Sequence, residues 1–123
     1  MKYDEKMAAK DISLWLVGLG LLLVSFSSWA GNSNVLTAGY VHTCGIKTDS
    51  TIACWGSDSS GRSTAPSGTF TQISAGLSHT CGLRTGGTIS CWGSNSSGQS
   101  SQPPGTYLQV TAGGSHTCAL EKR

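Results

Sequence analysis

The chain has 123 residues, a formal net charge of +2, 11% charged side chains, 17 glycines and five cysteines. So thin and balanced a charge excludes the basic stripe by which a protein holds nucleic acid. Scarce carboxylates argue against acid–base catalysis, and the lack of long helical patterns after the first thirty residues argues for short strands and turns.

Residues 1 to 11 (MKYDEKMAAKD) are polar, balance three lysines against three acids, and carry no fold signal. Residues 12 to 26 (ISLWLVGLGLLLVSF) are almost wholly apolar and predict a helix, followed by Ser27-Ser28-Trp29-Ala30. Small residues at 28 and 30 suit a signal peptidase, so segment 1–30 reads as an export signal cleaved before Gly31. Because 12–30 is close to the roughly 20 apolar residues that span a bilayer, and positive bias is missing in front of it, an uncleaved anchor is the second reading and a buried core helix the third. No cysteine follows the apolar run, so no lipidated amino terminus is expected. Signal and anchor alike place residues 31–123 outside the cytoplasm: extracellular, periplasmic or on the cell surface.

From residue 38 onward the sequence repeats itself every 37 residues. The stretch 38–62 (AGYVHTCGIKTDSTIACWGSDSSGR) returns at 75–99 (AGLSHTCGLRTGGTISCWGSNSSGQ) and in part at 112–123 (AGGSHTCALEKR). A constant period of this size signals a repeat architecture, in which each small unit buries its faces only against its neighbours. The expected units are 38–74, 75–111 and a partial 112–123.

Within a unit, alternating apolar and polar residues flank a turn at Thr85-Gly86-Gly87, which reads as a β-hairpin. If the loop has three residues and the last is left-handed, Arg84 faces Thr88, Leu83 faces Ile89 and Cys81 faces Cys91. That cysteine pair falls at a non-hydrogen-bonded position, where Cα atoms lie about 4.5 Å apart, within the roughly 4.4–6.8 Å that a disulfide tolerates. The same register pairs Cys44 with Cys54 and Ile46 with Ile52, with Ser50 standing where Gly87 does. Paired cysteines at hairpin spacing fit an oxidising compartment. Cys118 has no partner in its own repeat. It is expected either free or bridging at the seam to a strand that completes the partial unit in trans, from another copy or a longer parent polypeptide, for which the run from Val35 to Ala38 is one candidate.

Between the hairpins lie Ser/Gly-rich segments, 56–69 and 93–106, each followed by a strand-like run, Phe70 to Ala75 or Tyr107 to Ala112. Composition alone allows flexible linkers, but recurrence at one place in the repeat favours ordered loops. Asn95-Ser96-Ser97 is a glycosylation sequon, meaningful only in a host that glycosylates exported protein.

The pattern AGxxHTCGLxxxGTIxCWGxNxxGQ resembles the regulator-of-chromosome-condensation repeat in its short, cysteine-containing exported form, over about residues 38–123. The resemblance implies an all-β fold built from β-propeller blades, with sequence repeats often offset from the blades. Members include a chromatin-bound nucleotide exchange factor, a light sensor and a secreted inhibitor of β-lactamases, so it implies action through propeller faces and loops rather than one shared chemistry. Propellers have about four to eight blades, and two repeats with the start of a third do not close a ring. The expected fold is therefore a partial propeller or an open stack of antiparallel hairpins.

The motifs carry little chemistry. A structural zinc site wants four ligands at short paired spacings, whereas each hairpin offers one His and two distant Cys. No metal, cofactor or catalytic residue is expected. Trp55 and Trp92 lie on the hairpin face opposite the cysteines, where packing between neighbouring units competes with sugar stacking. The leading expectation is a non-catalytic interaction module whose loops, through Ser57, Asp58, Arg62, Ser94, Asn95 and Gln99, meet a protein or glycan. The alternative is a structural protein that self-associates through open edge strands. Membrane association is expected only if 12–30 is retained.

Overall fold

Two alternating runs joined by a turn must pair if each is to bury one face, and here the turn and the disulfide fix the same register. The computed structural model describes residues 35–123; the expected signal or anchor lies outside the described residues. The strands are β1 (Leu36–Ala38), β2 (His42–Ile46), β3 (Ile52–Gly56), β4 (Phe70–Ala75), β5 (His79–Arg84), β6 (Ile89–Gly93), β7 (Tyr107–Ala112) and β8 (Thr117–Glu121). They form three antiparallel sheets in the orders β1-β2-β3, β4-β5-β6 and β7-β8, so the described chain is all-β.

The hairpin register follows from the turn. The Arg84 amide donates to the Thr88 carbonyl at 2.8 Å and the Gly87 amide to the Arg84 carbonyl at 2.8 Å, with Gly87 at φ +90°. From there the pairing runs back through Leu83/Ile89 to Cys81/Cys91, which are disulfide-bonded with Cα atoms 4.0 Å apart. Cys44 and Cys54 are bonded likewise, at 4.1 Å. Ser50 adopts the left-handed conformation, φ +67°, that glycine supplies in the second hairpin. Its turn has extra support, because Asp49 Oδ1 accepts from the Thr51 amide at 3.0 Å and hydroxyl at 2.6 Å.

Each sheet takes the strand in front of its hairpin rather than the one behind. Phe70–Ala75, of which all but the last residue fall within residues 38–74, pairs with β5 of the next hairpin, so the sheets run out of step with the 37-residue division of the sequence. For the same reason Leu36–Ala38 is already paired, with Gly45, Cys44 and Thr43 of its own sheet.

Sheet faces alternate along the array. Cys44 and Ile73 pack with Trp92 between the first and second sheets; Cys81, Leu83, Ile89, Cys91 and Val110 pack between the second and third. Side-chain oxygens tie β1 to β4 and β4 to β7: Thr37 Oγ1 accepts from the Ala75 amide at 3.0 Å and Ser74 Oγ from the Ala112 amide at 2.9 Å. Backbones come close here, because a methyl group on Gly39 would stand 2.6 Å from the Gly76 carbonyl oxygen, and one on Gly76 would run into that of Gly113.

Candidate functional site

The seam between the first two sheets shows what one repeat asks of the next. Trp92 on β6 is buried, lies edge-on to Phe70 with ring centroids 6.3 Å apart, and donates Nε1–H to the Arg62 carbonyl at 3.0 Å. Around it stand Cys44 and Ile73, with Ile46, Ile52, Cys54 and Ala65 at the margin. A buried carbonyl needs a donor, and Arg62 O also receives the Thr80 hydroxyl at 3.5 Å. Trp55, in the same place on β3, is 50% exposed. Packing between units therefore describes Trp92 but not Trp55, whose face meets no further sheet among the described residues.

Burial corrects two of the six loop residues expected to meet a ligand. Arg62 and Gln99 are 8% and 5% exposed. Arg62 Nε donates to Ser59 O at 2.6 Å; Gln99 Oε1 accepts from the Ser97 amide at 2.7 Å and its backbone carbonyl from the Thr117 hydroxyl at 2.8 Å. Both positions brace their loop and supply the seam with an acceptor. Ser57, Asp58 and Asn95 are exposed, and Ser94 half-buried. Asp58 Oδ1 accepts from the amide and hydroxyl of Ser63, at 2.9 and 2.8 Å, and Oδ2 from the Thr64 hydroxyl at 2.8 Å. These bonds, that of the Ser63 hydroxyl foremost, hold its carboxyl below the usual range. Asn95 repeats the arrangement, accepting from the Ser100 amide at 3.0 Å and the Ser101 hydroxyl at 3.3 Å.

The histidines of the HTC triplets also serve the seams. His42 Nε2 lies 2.8 Å from Thr80 Oγ1, and His79 Nε2 lies 2.9 Å from Thr117 Oγ1. Since Thr117 gives its own proton to Gln99 O, His79 must be the donor, which leaves Nδ1 without a proton. The Nδ1 atoms of both buried rings have no partner. Burial pushes both imidazoles below their ordinary pKa, aided at His42 by the charge of Arg62. Ligand spacing argued against a metal role for these histidines but did not reveal what they bind; the signal that could have was the HT dipeptide recurring one unit later. Among the described residues no three of His, Cys, Asp and Glu converge.

The second seam differs from the first. Beside the third sheet opens a cleft of about 570 Å³, lined among others by Ile89, Cys91, Gln99, Gln102, Tyr107 and Thr117. Each stands one period after Ile52, Cys54, Arg62, Ala65, Phe70 and Thr80, the surroundings of Trp92. On β8, whose outer edge pairs with no described strand, Cys118 is an exposed free thiol.

A family model described as the regulator of chromosome condensation (RCC1) repeat matches residues 36–62 and 70–99. A search among curated proteins finds no match. Among solved structures, the entire ectodomain of the Physcomitrella patens receptor kinase CR4 is similar at 27% identity and TM-score 0.62, over 72% of this chain and 28% of that one. The CRINKLY WD40 ectodomain of the Arabidopsis thaliana receptor kinase ACR4 is similar at 24% identity and TM-score 0.57, over 71% and 31%. Prp20p from Saccharomyces cerevisiae, described with its binding properties to Gsp1p and histones, is similar at 16% identity and TM-score 0.59, over 71% and 28%. The chain thus spans less than a third of each of these structures.

Proposed function

From the premise that residues 36–99 of this chain belong to the regulator of chromosome condensation repeat family, we propose that it is an exported, non-catalytic module that binds another protein. The observation that carries this reading is the construction of its loops. Asp58 and Asn95 spend their acceptors on their own loops, so the exposed tips, at 57–60 and 95–98, stand preformed. Preformed loops lose less conformational freedom on binding than flexible ones, and this is where affinity is gained. Export is supported by the two disulfides, which persist in oxidising compartments, and by the likeness to the CR4 receptor ectodomain. Binding to protein is in keeping with Prp20p, which is similar in fold and has binding properties to Gsp1p and histones.

The test places a photo-crosslinking residue at Ser96 or Ser59 and, as a control, at Thr88, in the protein as its own cell exports it. One protein adduct specific to the loop positions supports the proposal. Equal adducts at all three positions, or none, overturn it.

One feature favours a second reading, side-by-side self-association. Leu36, Val41 and Trp55, 50, 44 and 50% exposed, leave apolar area at the start of the array. A sedimenting mass that falls to that of a single chain in Trp55→Ser would support it, and a wild type that is monomeric at all concentrations would exclude it.

A further inference from the structure

The loops that follow β3 and β6 are braced alike, except for one atom of the residue that braces them. Asp58 takes the Ser63 amide and hydroxyl on Oδ1 and the Thr64 hydroxyl on Oδ2. One period later Asn95 takes the Ser100 amide at 3.0 Å and the Ser101 hydroxyl at 3.3 Å, both on Oδ1. Ser101 stands where Thr64 does, but an amide nitrogen has no lone pair to offer its proton, so the hydroxyl turns to the oxygen. The loop needs an acceptor here, and a carboxylate supplies one as well as an amide does. What asparagine adds is Nδ2, which donates to no group among the described residues.

The geometry points to Asn95 as the attachment site of an N-linked oligosaccharide. Asn95, Ser96 and Ser97 are all exposed, and they fit the acceptor pattern of asparagine, any residue but proline, then serine or threonine. The Asn95 carbonyl accepts from the Gly98 amide at 3.0 Å, which puts the triplet in a tight turn at the loop tip. Ser97 spends its amide on Gln99 Oε1 at 2.7 Å, while its hydroxyl, the group that the pattern requires two residues on, bonds to no described group. A methyl group on Gly98 would meet nothing within 4 Å, so the space beside the turn is open. The first loop offers no such site, because Asp58 presents a carboxylate that its hydrogen bonds keep ionised. Asn32 and Asn34 are followed two residues on by Asn34 and Leu36 and do not fit the pattern. The sugar would therefore stand on one loop tip, 95–98, and leave the other, 57–60, bare. The inference rests on the export part of the preceding reading and not on protein binding.

The covalent step is a displacement. Nδ2 attacks the anomeric carbon of an oligosaccharide carried on a lipid diphosphate in the exporting membrane. The C–N bond forms as the C–O bond to phosphate breaks; the amide gives up one proton, and the lipid diphosphate leaves with the electron pair. Nothing is oxidised or reduced. The product is a bulky, solubilising chain on the protein surface.

The experiment takes the full chain as its own cell makes it and reads intact mass, peptide maps and the cell fraction in which the chain is found. The wild type is expected to carry an oligosaccharide on the peptide that contains Asn95, and a peptide N-glycosidase should remove it and leave an aspartate at position 95. Asn95→Asp, which keeps the acceptor that braces the loop, should abolish the modification without lowering the urea midpoint below that of the enzymatically deglycosylated wild type. Ser97→Ala should abolish it as well, and Ser97→Thr should retain it. Sugar on the serine hydroxyls of this loop instead of Asn95 overturns the proposal, as does modification that survives Ser97→Ala. An unmodified Asn95 overturns it whether the chain is exported or retained. Because the cell fraction reports export by itself, failure of the glycosylation proposal is distinguishable from failure of the export reading.

Discussion

His79 reaches across a sheet boundary to Thr117, its Nε2 2.9 Å from the hydroxyl, as His42 reaches Thr80 at 2.8 Å. Each ring is therefore held by a residue 38 positions ahead, and each seam depends on one imidazole being neutral. A proton on Nδ1 would have to be buried without an acceptor, which costs the desolvation of a charged donor.

The pH dependence of stability follows. Both imidazoles are pushed below their ordinary value, chiefly by burial, so the unfolded state binds more protons in the interval between the two values. Stability contributed by these rings is complete above about pH 6.5, the unfolded value, and is lost as pH falls through the lowered folded values. The urea midpoint should be level between about pH 7 and 8 and drop below about 6.5. Asp49 and Asp58 do not confuse the readout, since hydrogen bonds from Thr51 and Ser63 hold their carboxyls below the usual carboxylate range. A midpoint that rises on mild acidification would refute the neutral-ring account.

The two tryptophans, which share the run Cys-Trp-Gly-Ser, should differ in cost when removed. Trp92→Ala empties a buried slot and leaves the Arg62 carbonyl without its indole donor, a loss of about 3–5 kcal/mol. Trp55→Ala exposes little that is not already exposed and should cost less than half as much. Equilibrium unfolding of both variants decides the matter; equal losses would mean that Trp55 is covered in solution.

How much of this was legible beforehand depended on range. Local chemistry specified the hairpins: turn type and cysteine spacing agreed on one register, and Cys81 does face Cys91. The fate of Arg62, Gln99 and Trp55 was illegible for a physical reason. A periodic sequence writes the same residues at every unit, whereas burial depends on whether a neighbour stands alongside. Arg62 and Gln99 looked like loop polars because their side chains are polar; it is their backbone carbonyls that the adjoining sheets use.

Each hairpin disulfide closes an 11-residue ring, with sequence separation 10. Chain-entropy estimates put this at slightly under roughly 3 kcal/mol. Replacing Cys81 and Cys91 together by Ala should lower stability by about that amount, and non-reducing peptide mapping of the wild type should recover links 44–54 and 81–91. Full alkylation without reductant would contradict both.

Ser50 occupies the left-handed position that glycine fills in the second hairpin, φ +67° against +90° at Gly87. A side chain there is strained, so Ser50→Gly should stabilise the protein by up to about 1 kcal/mol and Gly87→Ser should destabilise it similarly. Midpoints that move together in the same direction would show that the two turns are not equivalent.

Gly39, Gly76 and Gly113 mark the places where β1, β4 and β7 come nearest, each pressed against the histidine of its own repeat. Their lack of side chains fixes a thickness. A methyl group at Gly39 would strike both the Gly76 carbonyl and the His42 ring, and would act as a wedge driven into one side of the seam between the first two sheets. The sheets would hinge apart there while the Trp92 side stayed in contact. How closely one repeat can approach the next along this side is limited by residues that contribute nothing but backbone.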